Sequence, residues 1–276
     1  MERRLVMQLI PNLKDSSLMQ STIENIELYF NHHTSSKNSV KFDDYDTYSL
    51  FVSGLDNQNL NTILLKSKDV DVIDIVDKNA VKFGPHFFQI WLHPDFDTDV
   101  VKERLLPLKY RYIGDSVVMG LEIAKLVRVS MPNSLYVEKI TNSDRLNKWT
   151  EIAAVKHVLR GNQVQAYFEM FNSFYDFSKT DLFTKYIGWL NGEPAATSTL
   201  IAGKHSAMIF DEAILMRLKR KTWGVDDGVT YKSVVEAGKQ DYKVLTALCS
   251  VGEMRRYMAL GFEEITRIAK FINRKK

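Results

Sequence analysis

The chain has 276 residues, 45% hydrophobic and 26% charged, with 6 Pro and 13 Gly, an ordinary globular composition that excludes collagen-like repeats, low complexity and disorder for most of its length. Its formal charge of +3, from 37 Lys and Arg against 34 Asp and Glu, is spread along the chain and is not the concentrated stripe of a nucleic-acid binder. The single cysteine, Cys249, cannot close an intramolecular disulfide, so a reducing compartment such as the cytoplasm is expected.

The N-terminus opens with Met1-Glu2-Arg3-Arg4 and an apolar run, but reaches Pro11, Asn12, Lys14 and Asp15 too soon for a secretory leader. The most apolar stretch, 116–124, is broken by Gly120 and Glu122, well short of the ~18 uninterrupted apolar residues of a membrane span. No leader and no membrane partner are expected. Met19, Ile23, Ile26 and Phe30 share one face at helical spacing and predict a helix over 16–30. Residues 32–38 are rich in turn formers and read as a mobile loop. Strands follow over 48–52, 62–65 and 87–92, the last closed by His93-Pro94. A helix over 98–106 is ended by Pro107, and extended runs over 112–113 and 117–126 flank a turn at Gly114-Asp115. Strands alternating with helices indicate an α/β layer.

The segment Ser130-Met131-Pro132-Asn133-Ser134 interrupts the apolar pattern, which suggests domains over 1–127 and 135–276 joined by a linker over 128–134. Each has about 130–140 residues, a usual domain size. Past the linker come a strand over 135–140, capping residues Thr141 to Asp144, a helix carrying Leu146, Trp149, Ile152 and Ala153, and an aromatic helix around Tyr167. Asn191-Gly192 between runs of β formers makes a hairpin, extended to a three-stranded meander by a turn at Gly203-Lys204. The basic stretch Lys219-Arg220-Lys221-Thr222-Trp223-Gly224 precedes a helix over 228–238, a strand over 244–249, a helix over 252–260 and a closing strand near 266–271.

This order, with the residues Tyr186 to Thr199 and the run Ser250-Val251-Gly252 to Arg256-Tyr257-Met258-Ala259-Leu260-Gly261-Phe262, resembles the GNAT superfamily of acyl-CoA N-acyltransferases over 135–272. The first half resembles, more weakly, the degenerate N-terminal half of two-part bacterial members. The resemblance implies a mixed, mostly antiparallel α/β (α+β) sheet flanked by helices, in two GNAT-like halves. It also implies that two parallel strands splay, that acetyl-CoA lies in the gap as co-substrate, and that its pyrophosphate rests on the amides of a helix start. Cofactor contacts then fall on Ile214, Leu215 and Met216, on Lys221, Thr222, Trp223, Gly224, Val225 and Asp226, and on Ser250.

The family's phosphate turn reads Gln/Arg-x-x-Gly-x-Gly/Ala, and two registers fit. Lys221 to Asp226 keeps the first glycine and places Asp226 at the second; Lys219 to Gly224 keeps the second and places Thr222 at the first. The first register is favoured because the helix then needs no gap. Asp226 and Asp227 complement the helix dipole as acids at a helix start, yet would repel a pyrophosphate, which Lys219, Arg220 and Lys221 would offset.

Tyr257 stands where the family often has the acid that protonates the leaving thiolate; Glu212 or Asp211 is the base for the amine. Tyr257 also reads as a packing residue, and the aromatic set Tyr167, Phe168, Phe171, Phe174, Tyr175 and Phe177 as core. The six histidines show no ligand spacing, so no metal is expected. The first half has no Gly-x-Gly turn before a helix, Phe83-Gly84-Pro85 leading into a strand instead, so no second cofactor site is expected. Two readings follow: an N-acetyltransferase acting by direct attack of a small-molecule or peptide amine, or a non-catalytic GNAT-like binding or regulatory protein. Homodimerisation is left open.

Overall fold

A computed structural model describes residues 8–32, 40–159, 161–172, 177, 182–215 and 224–273. The first half runs α1 (Leu18–His32), β1 (Lys41–Asp44), β2 (Tyr48–Val52), β3 (Asn61–Leu65), α2 (Val72–Ala80), β4 (Gln89–Trp91), α3 (Thr98–Leu105) and β5 (Tyr110–Glu122). The second runs β6 (Leu135–Lys139), α4 (Ser143–Lys156), α5 (Asn162–Asn172), β7 (Phe183–Leu190), β8 (Glu193–Ala202), β9 (Ala207–Ile214), α6 (Val225–Lys239), β10 (Val244–Ser250), α7 (Met254–Ala259) and β11 (Glu263–Asn273). The loop expected over 32–38 and the basic stretch 219–223 lie largely or wholly outside the described residues, as do Phe174 and Tyr175.

All strands join one sheet, in the order β1-β2-β3-β4-β11-β5-β10-β9-β8-β7-β6. Among the described residues, only β3 with β4 and β9 with β10 pair in parallel. From the centre outward the order repeats: each parallel pair is flanked outside by a meander and inside by a long strand contributed by the other half. β11 lies against β4, and β5 lies between β11 and β10. The sheet therefore does not part at 128–134.

Local chemistry explains the elements. Asn191 and Gly192 take φ of 52° and 81°, the double positive φ of a type I′ turn that matches the twist of a two-residue hairpin. Asn142 caps α4, its Oδ1 accepting from the Arg145 N–H at 2.9 Å. The sheet separates two layers of core. One face packs α1, α4 and α5 in a cluster spanning both halves, from Phe51 and Trp91 to Ile187 and Met208. The other face packs α2 and α3 under the first half and α6 and α7 under the second.

Two sequence expectations are corrected. Gly114-Asp115 is not a turn: β5 runs through it, and the slip in register where Lys270 faces Gly114 but Phe271 faces Tyr112 leaves Ile113 as the extra residue of a bulge beside the glycine. The sequence reading also omitted α2, whose Val72, Ile75, Val76 and Asn79 are buried behind an N-cap at Asp71.

Because β5 bonds to β10 and β11 and not to β4, a fragment of residues 1–127 leaves both β4 and β5 without their inner partners. Such a fragment is expected to lack a cooperative thermal transition by circular dichroism; a sharp melt would show that the exchange of strands is dispensable.

Candidate functional site

β9 and β10 stay paired only from Ala207–Ile209 to Leu245–Ala247. Beyond this, the register of β9 against β8 slips between Thr197 and Thr199, and Asp211 adopts a φ of 51°. A non-glycine residue in the left-handed region within a bulge turns the strand sharply. β10 meanwhile stays bonded to β5 as far as Ser250 opposite Ser116. The strands therefore diverge, with Phe210–Ile214 on one side of the gap and Leu248–Ser250 on the other.

A cavity of about 220 Å³ opens at this gap. The first half supplies Tyr29, Phe30, Phe51 and Trp91, and the second supplies Phe210 and Leu248. Phe30 stacks on Phe51 at 4.7 Å between centroids and meets Trp91 edge-on at 6.0 Å. Lys156, His157, Ser250, Glu253 and Lys270 complete the charged part of the wall. Glu253 is held by Ser250: its Oε2 accepts from the Ser250 N–H at 3.0 Å and the Ser250 hydroxyl at 2.8 Å. Burial alone would raise its pKa, but these bonds and nearby Lys156 and Arg256 hold it below its usual value.

Directly behind the wall lies Asp211, with no exposed surface. Burial works against its charge, yet His157, Lys185 and Lys156 hold its carboxyl well below the usual range. Tyr29 donates its hydroxyl proton to Asp211 Oδ2. His157 Nε2 stands 3.7 Å from Asp211 Oδ1, too long for a hydrogen bond, and neither atom has a hydrogen-bond partner. Lys185 is also buried, its ammonium 3.8 Å from the Trp149 ring centroid, and burial lowers its pKa to about 7 against the opposing pull of Asp211.

On the other face of the sheet, Arg256 of α7 reaches across the gap. Its guanidinium donates to Glu212 Oε2 at 3.1 Å and to the Thr230 hydroxyl at 2.8 Å, and lies 3.7 Å from both Asp226 and Asp227 at the start of α6. Thr230 also donates to Glu212 Oε1. Both oxygens of Glu212 are thus engaged, and Glu212 is not among the residues lining the cavity. Burial raises its pKa above the usual value, with Arg256 opposing. Asp227 is pushed up to about 6, first by burial and then by the charge of Asp226.

The remaining expected site residues divide by position. Gly224 caps α6 at a φ of 83°, and a Cβ there would lie 2.5 Å from the Ser130 carbonyl oxygen, so glycine is required and the 128–134 segment is seated against the turn. Val225 is buried beneath the helix start, and Asp226 Oδ1 accepts from the Asp227 N–H at 3.2 Å, occupying one of the free donors there. Ile214 ends β9, and the Leu215 N–H bonds the Ala195 carbonyl at 3.0 Å, so this stretch is tied to β8 while its other edge faces the gap. Ser250 lies at the gap and lines the cavity. Tyr257 is 2% exposed, packed edge-on to Phe262 at 5.2 Å beside β10 residues Ala247 and Cys249. Met216, Lys221, Thr222 and Trp223 lie outside the described residues.

Sequence reasoning missed Tyr29, Lys156, His157 and Lys270. The readable signal was Lys270, which by strand alternation shares a face with buried Ile268. The others lie beside apolar positions on helices and become neighbours only through the fold. Cys249 is buried with its thiol pushed up to about 12, chiefly by burial, which suits packing and not nucleophilic chemistry. Among the described residues no cluster of His, Cys, Asp and Glu is placed to hold a metal ion, and no helix is long and apolar enough to cross a membrane.

The first half mirrors the α6 arrangement. Asp71 caps α2 by accepting from the Ile73 N–H at 2.8 Å, and Arg104 of α3 donates to both its oxygens at 2.9 and 2.7 Å. In both halves an arginine from the helix after the second parallel strand binds a carboxylate at the start of the helix before it.

No family model and no curated protein sequence matches the chain. Solved structures do, and they show its fold. A GCN5-related N-acetyltransferase from Kribbella flavida superposes with a TM-score of 0.63 at 12% identity, over 94% of this chain and 95% of that one. A functionally unknown conserved protein from Staphylococcus epidermidis gives 0.63 at 10% identity, over 85% and 93%. A tandem GNAT protein from the clavulanic acid biosynthesis pathway gives 0.54 at 9% identity, over 94% and 95%. The chain therefore has the GNAT fold, and its neighbours include a tandem form.

Lys185 carries a prediction about stability. The unfolded chain holds this proton up to about pH 10.4, while the fold releases it near 7. The unfolded state thus binds more protons between these values, and Lys185 makes the fold more stable as pH rises from 7 to 9.5. Denaturant titrations should show this slope in the wild type and a flatter one in Lys185→Met; parallel slopes would place the Lys185 proton elsewhere.

Proposed function

We propose that the chain is an acyl-CoA-dependent N-acyltransferase that moves acetyl from acetyl-CoA to a primary amine held in the cavity. The observation that supports this is the meeting of gap and cavity: Phe210 on β9 and Leu248, Cys249 and Ser250 on β10 border both. A donor reaching through the sheet from the α6–α7 face would present its acyl end to an amine on the α1–α4 face. Bound acetyl-CoA supplies an activated thioester. The β9 edge past Ile209, no longer paired with β10, offers main-chain groups to the donor's arm. The start of α6 and Arg256 offer positive charge to its diphosphate.

The residues fit the donor unevenly. The gap and the Gly224 turn suit it, whereas the carboxylates of Glu212, Asp226 and Asp227 compete with a diphosphate for Arg256. On the cavity side, His157 accepts the proton that the amine gives up, and the Asp211 carboxylate 3.7 Å behind it favours the charge the ring then carries. Tyr257, beside β10 on the α7 side, is the proton donor for the departing thiolate. Most of the rate comes from holding the two reactants together in a site that both halves close.

The mirrored pair of Arg104 with Asp71 favours a second reading, that both helix starts are filled by their own ion pairs and the protein binds ligands without transferring acyl groups. Calorimetry with acetyl-CoA separates the two. The first reading expects binding that tightens about tenfold in Asp226→Gly, a change of about 1.4 kcal/mol. It also expects affinity to rise as pH falls from 7 to 5. Asp227, with a pKa of about 6, then loses the charge that faces Asp226, Glu212 and Arg256, and Asp227→Asn should remove the dependence. No heat and no thermal shift at millimolar acetyl-CoA, in wild type and Asp226→Gly alike, would establish the second reading.

A further inference from the structure

We infer that the cavity between the halves binds a small amino carboxylate, an amine with an apolar or aromatic body whose carboxylate is held between Lys156 and Lys270. The naming of its amine as the acceptor rests on the acyl-transfer reading; the binding of its carboxylate does not.

The argument begins with charge. The Lys156 ammonium lies 5.6 Å from the Phe210 ring centroid and the Lys270 ammonium 5.6 Å from that of Trp91, so both stand over aromatic walls of the one cavity. Neither forms an ion pair among the described residues. Burial lowers the pKa of Lys270, and the charge of Lys156 lowers it further, so the two cations face a shared space and repel each other. Lys156 stands at the exposed rim and Lys270 is half-buried in the wall, where a cation without a partner is costly. The one carboxylate in the wall, Glu253, already accepts two bonds from Ser250. With Glu253 counted, the wall keeps one positive charge in excess, which suits a monoanion. Two ammonium groups can bridge one carboxylate, and a single net positive charge matches its single negative charge better than the double charge of a phosphate.

The rest of the wall defines the body and the other end. Phe30, Phe51 and Trp91 form a packed aromatic surface with no polar demand. His157 and Tyr29, backed by the Asp211 carboxylate, make an end suited to an amine. At about 220 Å³ the space is below the usual ~300–1,000 Å³ of ligand pockets. It takes a molecule of amino-acid size and excludes a folded peptide segment.

The test is calorimetry on the full chain without any acyl donor, using L-phenylalanine, L-leucine, phenethylamine and hydrocinnamate as probes. The expected result is binding of phenylalanine or leucine, with phenethylamine at least tenfold weaker than phenylalanine. Lys270→Met and Lys156→Met should each weaken amino-acid binding at least tenfold while leaving phenethylamine unchanged. If Lys270→Met fails to fold, Lys156→Met on the opposite wall carries the test. Phenethylamine binding as tightly as phenylalanine, equal losses for both probes in the lysine variants, or no binding by any probe would overturn the proposal. Amino-acid binding without acetyl-CoA binding would overturn the acyl-transfer reading and leave this one standing.

Discussion

Asp211 has no exposed surface, sits at a φ of 51° and interrupts the register of β9. A charged side chain there must be surrounded by partners that never exchange with water, because an isolated buried carboxylate is too costly to persist. The partners come from separate parts of the chain: Tyr29 from α1, His157 from the end of α4, and Lys185 from β7. The bulge that needs them also ends the pairing of β9 with β10 and opens the sheet. The strand gap, the cavity beside it and the docking of α1 onto the second half thus share one cause, and any residue that relieved the bulge would close the gap.

The exchange of long strands gives this local constraint a global role. With β11 beside β4 and β5 beside β10, the two halves have no separate edges at the centre of the sheet. The cavity can therefore draw Trp91 from β4, Ser116 from β5 and Lys270 from β11 with little freedom for the halves to rock. A preorganised pocket spares the ordering cost that a hinged one would bear on binding. Only the second half of the pseudo-symmetric pair carries the bulged strand with a glycine-capped helix behind it; the first keeps the parallel pair and fills its helix start with Asp71.

The order of elements in the second half was legible because each carries its own local signal. Asn191-Gly192 needs positive φ, Asn142 caps α4, and Gly261-Phe262 ends the last helix. The bulge in β9 was not legible, since Phe210-Asp211-Glu212 looks like ordinary strand alternation and the left-handed φ of Asp211 arises from tertiary partners. For the same reason the sequence could not choose between Asp211 and Glu212. The fold separates them, one behind the cavity wall and one beneath Arg256. The strand exchange left no trace either, because β5 and β11 have the same apolar pattern whichever neighbour they pair with.

The two mouths of the strand gap carry opposite electrostatic character. On the cavity side Lys156 and Lys270 stand without ion-pair partners among the described residues; on the α6 side three carboxylates surround one guanidinium. Fields of this kind persist where low-dielectric walls exclude water. An anion is thus favoured on the face formed by both halves and resisted at the start of α6, the reverse of what a simple phosphate cradle requires. The two ends are linked through the sheet, because Lys156 lowers the pKa of Glu212 as well as that of Asp211.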